Sequence, residues 1–122
     1  MQLCLEPVFT LGLTAIVLGG GNNNSLPVLR AVRAATSRPT AAVNCDPHAD
    51  FRRAEGRHSG NPFRYAKQEG ALERYAVFGL HEGYNSEDML EEMESYHFMF
   101  ASYESMFVRK SHTIDNQVQV NQ

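Results

Sequence analysis

The chain lacks the features that mark several classes of protein. It has only two cysteines, Cys4 and Cys45, which is too few for a disulfide framework, and we expect Cys45 to serve as a small apolar residue. The formal charge is only −3, and no basic stripe is interleaved with aromatic residues, so nucleic acid is an unexpected partner. The apolar N-terminus has no basic leader and is interrupted by Glu6 and Pro7, which predicts neither a signal peptide nor a membrane span. We therefore expect a soluble cytoplasmic protein.

Short apolar runs alternate with helix-like segments, and this order predicts an α/β fold with a parallel sheet. About four strands are expected, at residues 14–18, 41–45, 75–80 and 97–100. Helices are expected at residues 26–36, at 62–70, and from a cap at Asn85 or Ser86 to residue 94. The length allows one domain at most, with an ordered α/β part over residues 1–110 and a polar tail over 111–122.

The most informative stretch is Asp46-Pro47-His48-Ala49-Asp50, directly after the second expected strand. Ligands collect at the carboxyl ends of strands in open α/β sheets, and Asp46, His48 and Asp50 share a face of any extended backbone. Two carboxylates and an imidazole suit a divalent cation such as Mn²⁺ better than they suit a structural zinc site. The spacing alone leaves an alternative open, in which the aspartates cap the turn that follows.

Several segments in series make the chain resemble the ureohydrolase superfamily of arginases, agmatinases and formimidoylglutamases. The likeness is greatest to the formimidoylglutamase-like branch, and it covers the N-terminal part of such a domain only. The segments that carry it are LGGGNNNS (18–25), VNCDPHADFR (43–52), HSGNPF (58–63) and RYAVFGLHE (74–82). The resemblance implies a three-layer α/β/α fold with a parallel sheet, here incomplete.

The resemblance also implies an activity and a set of site residues. Intact relatives hold two Mn²⁺, which activate a hydroxide that hydrolyses C–N bonds of linear amidines such as formimidoylglutamate or guanidino compounds. Asp46 would be the catalytic carboxylate that bridges both metals, Asp50 would bind one of them, and His48 the other. Ser59 and Asn61 match the segment that orients the amino-acid end of the substrate. A small-molecule amidine is thus the implied partner, and a homo-oligomer is compatible with the resemblance.

Four departures from the family's pattern bear on that activity. Asn22 stands where the family has a histidine ligand, and it is either a ligand through its amide oxygen or a turn residue. Phe63 stands where arginase-like members have a histidine proton shuttle, which argues against arginase chemistry. Pro47 replaces a small residue between two expected ligands and fixes φ there. The family's second acidic cluster, of the form Asp-x-Asp, does not occur after Asp50.

The missing acidic cluster changes the expected metal content. Two Mn²⁺ bring four positive charges, whereas Asp46 and Asp50 supply two negative ones, and unbalanced charges at ~3–4 Å repel by several kcal/mol. We therefore expect one Mn²⁺ or none. Three interpretations stay open: part of a manganese-dependent amidine hydrolase, a non-catalytic truncated remnant that retains half of the metal site, and a small α/β module whose open sheet edge pairs with a partner.

Overall fold

The computed structural model describes residues 1–110, which fall into two compact units. The first unit consists of Met1–Ala42 and Asp50–Arg74. The second consists of Val43–Ala49 and the described residues from Tyr75 onward. The chain therefore passes between the units three times, and the motif that follows the second expected strand is divided between them.

Three of the helices belong to the first unit. They are α1 (Gln2–Thr10), α2 (Ser25–Thr36), which follows a 3₁₀ turn at Asn22–Asn24, and α3 (Pro62–Gln68). Helix α1 packs against α2. Proline is well suited to the first position of α3, because its φ is preset for a helix and an N–H there would lack an intrahelical partner. The large buried apolar side chains of this unit are Leu26, Leu29, Phe51, Phe63 and Leu72.

Three strands form one sheet in the order β1-β2-β3. Strand β1 is Thr40–Cys45, β2 is Leu72–Leu80 and β3 is Met99–Ser102. Strands β2 and β3 pair in parallel, and helix α4 (Glu87–Ser95) lies between them in sequence. An α/β fold with a parallel sheet is thus confirmed, although its strands number three within residues 1–110.

Strands β1 and β2 also run in parallel. Near the start of both strands, the N–H of Thr40 donates to the carbonyl of Ala71 at 3.0 Å. Just beyond the end of β1, the N–H of Asp46 donates to the carbonyl of Phe78 at 3.2 Å. Because the partners advance in the same direction along both chains, the carboxyl ends of β1 and β2 lie at the same edge.

The prediction of a first strand at residues 14–18 is wrong. Residues 14–18 adopt no regular structure, and their apolar side chains face solvent, with Ile16 83% and Leu18 90% exposed. A strand is held by hydrogen bonds to a neighbour, and no strand within residues 1–110 pairs with this run. Apolar composition alone cannot supply that neighbour.

The last strand begins at Met99, two residues later than the sequence predicts. The cause is the end of α4, where His97 takes a left-handed backbone with φ of 57°. The N–H of His97 donates to the carbonyl of Glu94 at 2.8 Å, which satisfies a carbonyl in the last turn. The helix ending therefore uses residues that the sequence pattern assigns to the strand.

A glycine accommodates an irregularity in the pairing of β2 with β3. The register shifts between Phe78 and Leu80, and the intervening Gly79 has a φ of 79°. Glycine adopts this backbone at little cost because it has no Cβ. The shift leaves Leu80 paired with Ser102 and fully buried.

The helices of the described chain are short. Helix α2, with 12 residues, is the longest one within residues 1–110. None of the helices in this part of the chain is long and apolar enough to cross a membrane. The polar tail predicted for residues 111–122 lies outside the described residues.

Replacement of Tyr75 by phenylalanine tests the packing of the second unit. Tyr75 is 2% exposed and its hydroxyl donates to the carbonyl of Ala49 at 2.8 Å. Tyr75→Phe would leave that buried carbonyl without its donor, so we expect the free energy of unfolding to fall by about 1–3 kcal/mol. Urea titration measures the change. Tyr84→Phe is the matched control, because Tyr84 is 61% exposed, and equal losses in the two variants would contradict this account.

Candidate metal centre

Asp46 and His48 follow the end of β1 in the second unit and interact with each other. The Oδ1 of Asp46 accepts a hydrogen bond from the backbone N–H of His48 at 2.8 Å. The same oxygen lies 3.1 Å from Nδ1 of the His48 ring. Asp46 therefore caps the turn that follows it, which is the alternative that the spacing of the motif left open. The turn holds two of the predicted ligands side by side at the carboxyl end of the strand.

The backbone between these ligands is held by an asparagine. Nδ2 of Asn85 donates to the carbonyl of Pro47 at 2.9 Å, and its Oδ1 accepts from the N–H of Ala49 at 2.9 Å. The sequence predicts Asn85 or Ser86 as a helix cap, and the N-cap of α4 is Ser86. Asn85 instead fixes the loop that carries Asp46 and His48, a role that no local sequence signal indicates.

Asp50 belongs to the first unit, where it is 6% exposed. Its Oδ2 accepts a hydrogen bond from Nδ2 of Asn22 at 2.5 Å. Its backbone is left-handed, with φ of 48°, a conformation that costs a non-glycine residue roughly 1–2 kcal/mol. Asn22 begins the 3₁₀ turn of Asn22–Asn24, so it occupies a turn and also donates to a predicted metal ligand. Its amide group thereby orients the carboxylate of Asp50.

The donor types suit Mn²⁺, but the described residues do not fit a complete metal centre. Carboxylate and imidazole groups are accepted Mn²⁺ ligands, and the ion favours about six of them. Across residues 1–110, no three side chains of the His, Cys, Asp or Glu types are grouped so that they could hold a metal ion. Asp46 is engaged with His48, and Asp50 with Asn22. The assignment of these residues as ligands stays a prediction.

The two predicted substrate residues differ in their surroundings. Asn61 is fully buried, and its Nδ2 donates to the carbonyls of Arg53 at 3.0 Å and Gly56 at 2.8 Å. Its Oδ1 accepts from the N–H of His58 at 3.1 Å. Ser59, in contrast, is exposed. The amide of Asn61 therefore holds the loop together, whereas the hydroxyl of Ser59 is accessible to a ligand.

Arg64 is a loop-holding residue that the sequence does not reveal. It is 9% exposed, and its Nε donates to the carbonyls of Phe51 at 3.0 Å and Arg52 at 2.8 Å. Its guanidinium carbon lies 4.5 Å from the centre of the Phe51 ring, a cation–π contact. Arg64 thus stabilises the backbone directly after Asp50. Its one sequence signal is an arginine beside the apolar Phe63 at the start of a helix.

A second group of polar side chains follows β2 in the second unit. Nδ1 of His81 lies 3.0 Å from Oε1 of Glu104. Glu82 accepts hydrogen bonds from Arg109 and from Ser102, the latter at 2.6 Å. The hydrogen bond from Arg109, followed by that from Ser102, lowers the pKa of Glu82 to about 2, so this carboxylate is ionised at neutral pH. Glu82 and Glu104 therefore each have a partner within the protein, as expected of polar residues at the solvated end of a strand.

Comparison with known proteins identifies the family. The model of the arginase family matches residues 2–119. The formimidoylglutamase of Corynebacterium efficiens is 35% identical over 77 residues, which cover 62% of this chain and 24% of that protein. The formimidoylglutamase of Hahella chejuensis is 33% identical over 93 residues, which cover 68% of this chain and 29% of that protein. The chain belongs to the arginase family.

Solved structures agree on the fold. A Trypanosoma cruzi formiminoglutamase structure with Mn²⁺ matches 97% of this chain with a TM-score of 0.81 and 25% identity. The formimidoylglutamase of Bacillus subtilis matches 98% with a TM-score of 0.81 and 19% identity. The chain covers only 41% and 38% of those two proteins. The similarity therefore concerns part of a family domain, which accounts for the small sheet.

Asn61 and Ser59 offer a paired test of the loop. Asn61→Ala removes two donors and one acceptor from a buried position, so we expect the free energy of unfolding to fall by about 1–3 kcal/mol. Ser59→Ala, two residues away on the surface, is expected to change it by no more than about 0.5 kcal/mol. Urea unfolding of both variants makes the comparison. A Ser59→Ala loss as large as that of Asn61→Ala would contradict the structural role of Asn61.

Proposed function

We propose that these residues are part of a manganese-dependent hydrolase that cleaves C–N bonds of linear amidines, either formimidoylglutamate or guanidino compounds. The observation that supports this most is the position of Asp46-Pro47-His48-Ala49-Asp50 at the carboxyl end of β1 in a chain of the arginase family. Ligand sites of open α/β sheets collect at that edge. The T. cruzi formiminoglutamase solved with Mn²⁺ adds support for the choice of metal.

The proposed roles follow the family pattern residue by residue. Asp46 is the carboxylate that bridges two metals, His48 and Asp50 each bind one of them, and Ser59 and Asn61 contact the substrate. The proposed chemistry is hydrolysis by metal-activated hydroxide. Because the described residues do not gather three metal-binding side chains, turnover requires ligands from the rest of a family domain.

A second candidate is a non-catalytic truncated chain that retains half of the metal site. It is favoured by the pairing of Asp46 with His48, and of Asp50 with Asn22, because each predicted ligand already has a protein partner. A polar group that is satisfied within the protein gains less from a metal ion than one that is not. The two candidates differ in one respect: the hydrolase requires further metal ligands, and the non-catalytic chain does not.

We predict that the purified 122-residue chain binds fewer than two Mn²⁺ per molecule and hydrolyses neither formimidoylglutamate nor agmatine. The reason is that two carboxylates cannot balance the four charges of a metal pair. Metal analysis after dialysis gives the stoichiometry, and ammonia and urea assays give turnover. Two tightly held ions, together with turnover that Asp46→Ala abolishes, would overturn this prediction.

We also predict a ranking of two variants. Asp46→Asn should lower Mn²⁺ affinity more than Asn22→Ala, because the first removes a charge and the second only a neutral amide. Calorimetric titration of both proteins tests the order. Ser59→Ala is a control with an exposed hydroxyl that has no proposed metal role. Equal losses for Asp46→Asn and Asn22→Ala would contradict this order and would show that Asn22 supports metal binding as strongly as Asp46, either as a ligand or through its hydrogen bond to Asp50.

A further inference from the structure

An apolar run in the first unit, residues 13–18, is left on the surface of the described chain. Its sequence is LTAIVL, and Leu13, Ile16 and Leu18 are each more exposed than buried. Single exposed apolar residues are ordinary on a protein surface, whereas a contiguous run of them is typical of an interaction site. The run contains none of the predicted metal or substrate residues, so it is separate from the proposed site.

The backbone of this run also lacks a neighbour. From Thr14 to Leu18, no N–H and no carbonyl forms a hydrogen bond with another backbone group of residues 1–110. Gly12 before the run and Gly19 after it have φ values of 71° and 82°, so the chain turns at both ends. Six residues that are mostly apolar or β-branched have the composition of a strand. The run therefore has everything a strand needs except a strand beside it.

The sequence around the run does not oppose the approach of a second copy. No charged residue occurs between Glu6 and Arg30, and the run contains no proline. Natural edge strands avoid self-association by carrying charged residues or proline, because like charges repel and proline cannot donate to a neighbour. A partner with a charged surface would find no opposite charge here. The chemistry therefore favours an uncharged apolar strand, and residues 13–18 of another copy supply one.

Antiparallel pairing of the run with itself is compatible with a two-fold axis. With the axis at Ile16, each Ile16 faces the other, and Thr14 faces Leu18 of the second copy. Because side chains alternate along a strand, these three residues of both copies then share one face of the ribbon. This register brings together Ile16 and Leu18, the two most exposed side chains of the run. Branched side chains that face each other across a strand pair stabilise it.

The surface around the run is of the kind that a dimer needs. The chain exposes 7925 Å², and a standard interface takes about 800 Å² from each partner, or roughly a tenth of that surface. Of the fourteen large apolar side chains that are exposed in the described chain, seven lie within residues 1–18. This concentration supplies the apolar burial that a two-stranded ribbon requires beyond its own hydrogen bonds.

We propose that two copies of this chain associate through residues 13–18, which form an antiparallel ribbon about a two-fold axis at Ile16. The pairing satisfies the backbone groups of both runs and removes their apolar side chains from water. The interface does not include the predicted metal ligands, and the inference does not rest on the proposed hydrolysis.

Analytical ultracentrifugation of the full 122-residue chain, from micromolar to near-millimolar concentration, tests the proposal. We expect a reversible equilibrium between monomer and dimer. Ile16→Lys should raise the dissociation constant of the dimer about a hundredfold, because each dimer would then place two like charges face to face. Val43→Lys is the matched control, because Val43 is also an exposed β-branched residue but lies on β1 in the second unit. It should leave the dissociation constant unchanged.

Disulfide formation tests the register. The two native cysteines are free and exposed, so the background is Cys4→Ser with Cys45→Ser. In this background Ile16→Cys places two thiols opposite each other, within the distance that a disulfide requires. Leu18→Cys is the control, because its two thiols lie at opposite ends of the ribbon. We expect Ile16→Cys dimers to oxidise readily and Leu18→Cys dimers to stay unlinked.

Each outcome decides the matter. A chain that stays monomeric overturns the proposal, as does an assembly larger than a dimer or an equal effect of Ile16→Lys and Val43→Lys. Linkage of Leu18→Cys as readily as of Ile16→Cys would indicate parallel pairing and overturn the two-fold arrangement, as would the failure of both to link. Because neither Mn²⁺ nor an amidine is present, the result is independent of the proposed enzyme activity.

Discussion

Hydrogen bonding between parallel strands is the interaction on which the rest of this structure depends. The backbone bonds from Thr40 to Ala71 and from Asp46 to Phe78 align β1 with β2, and they carry Asp46 to the carboxyl edge of the sheet. Where a neighbour is lacking within the described chain, the strand is lacking too. Residues 14–18 have the composition of a buried strand but leave Ile16 and Leu18 in solvent. In a chain that spans part of the length of its relatives, pairing decides which apolar runs become strands.

The loop after β1 shows how much protein is needed to hold a short motif. Asn85 and Tyr75, both distant in sequence, bond to the backbone of Ala49. Arg64 bonds to the carbonyls that follow Asp50. These contacts satisfy polar backbone groups that would otherwise lose hydrogen bonds on burial. The backbone of the motif is therefore held by the protein without a metal ion, while the side chain of Asp46 pairs with His48 and that of Asp50 with Asn22.

Charge is distributed unevenly along the chain, and the distribution bears on ligands. The family motif brings two carboxylates, too few for a pair of divalent ions, while the first unit has an excess of arginine. Around Glu69 that excess is only partly matched, because Arg30, Arg33 and Arg57 all act on its one carboxylate. The predicted cation site is therefore short of negative charge, while positive charge is in excess in the first unit.

Much of the fold could be predicted from local patterns. Helices α2 and α3 and strand β1 lie close to their expected positions, because apolar periodicity, Pro62 and the run before Asp46 act over a few residues. The errors have tertiary causes. Residues 14–18 form no strand because no strand within residues 1–110 pairs with them, and the late start of β3 reflects the left-handed ending of α4 at His97. Neither is encoded in the local pattern of the residues concerned.

The division between what local sequence determines and what tertiary contacts decide applies also to the family and to the predicted site. The sequence by itself determined the family, because several motifs in series are specific whatever the chain's conformation, and the arginase-family match over residues 2–119 agrees. Only the tertiary structure decided that Asn61 holds its own loop, that Asn22 donates to Asp50, and that Asn85 anchors the motif. A motif states which donors are present. Which partner each donor binds depends on residues that are distant in sequence and meet only in the folded chain.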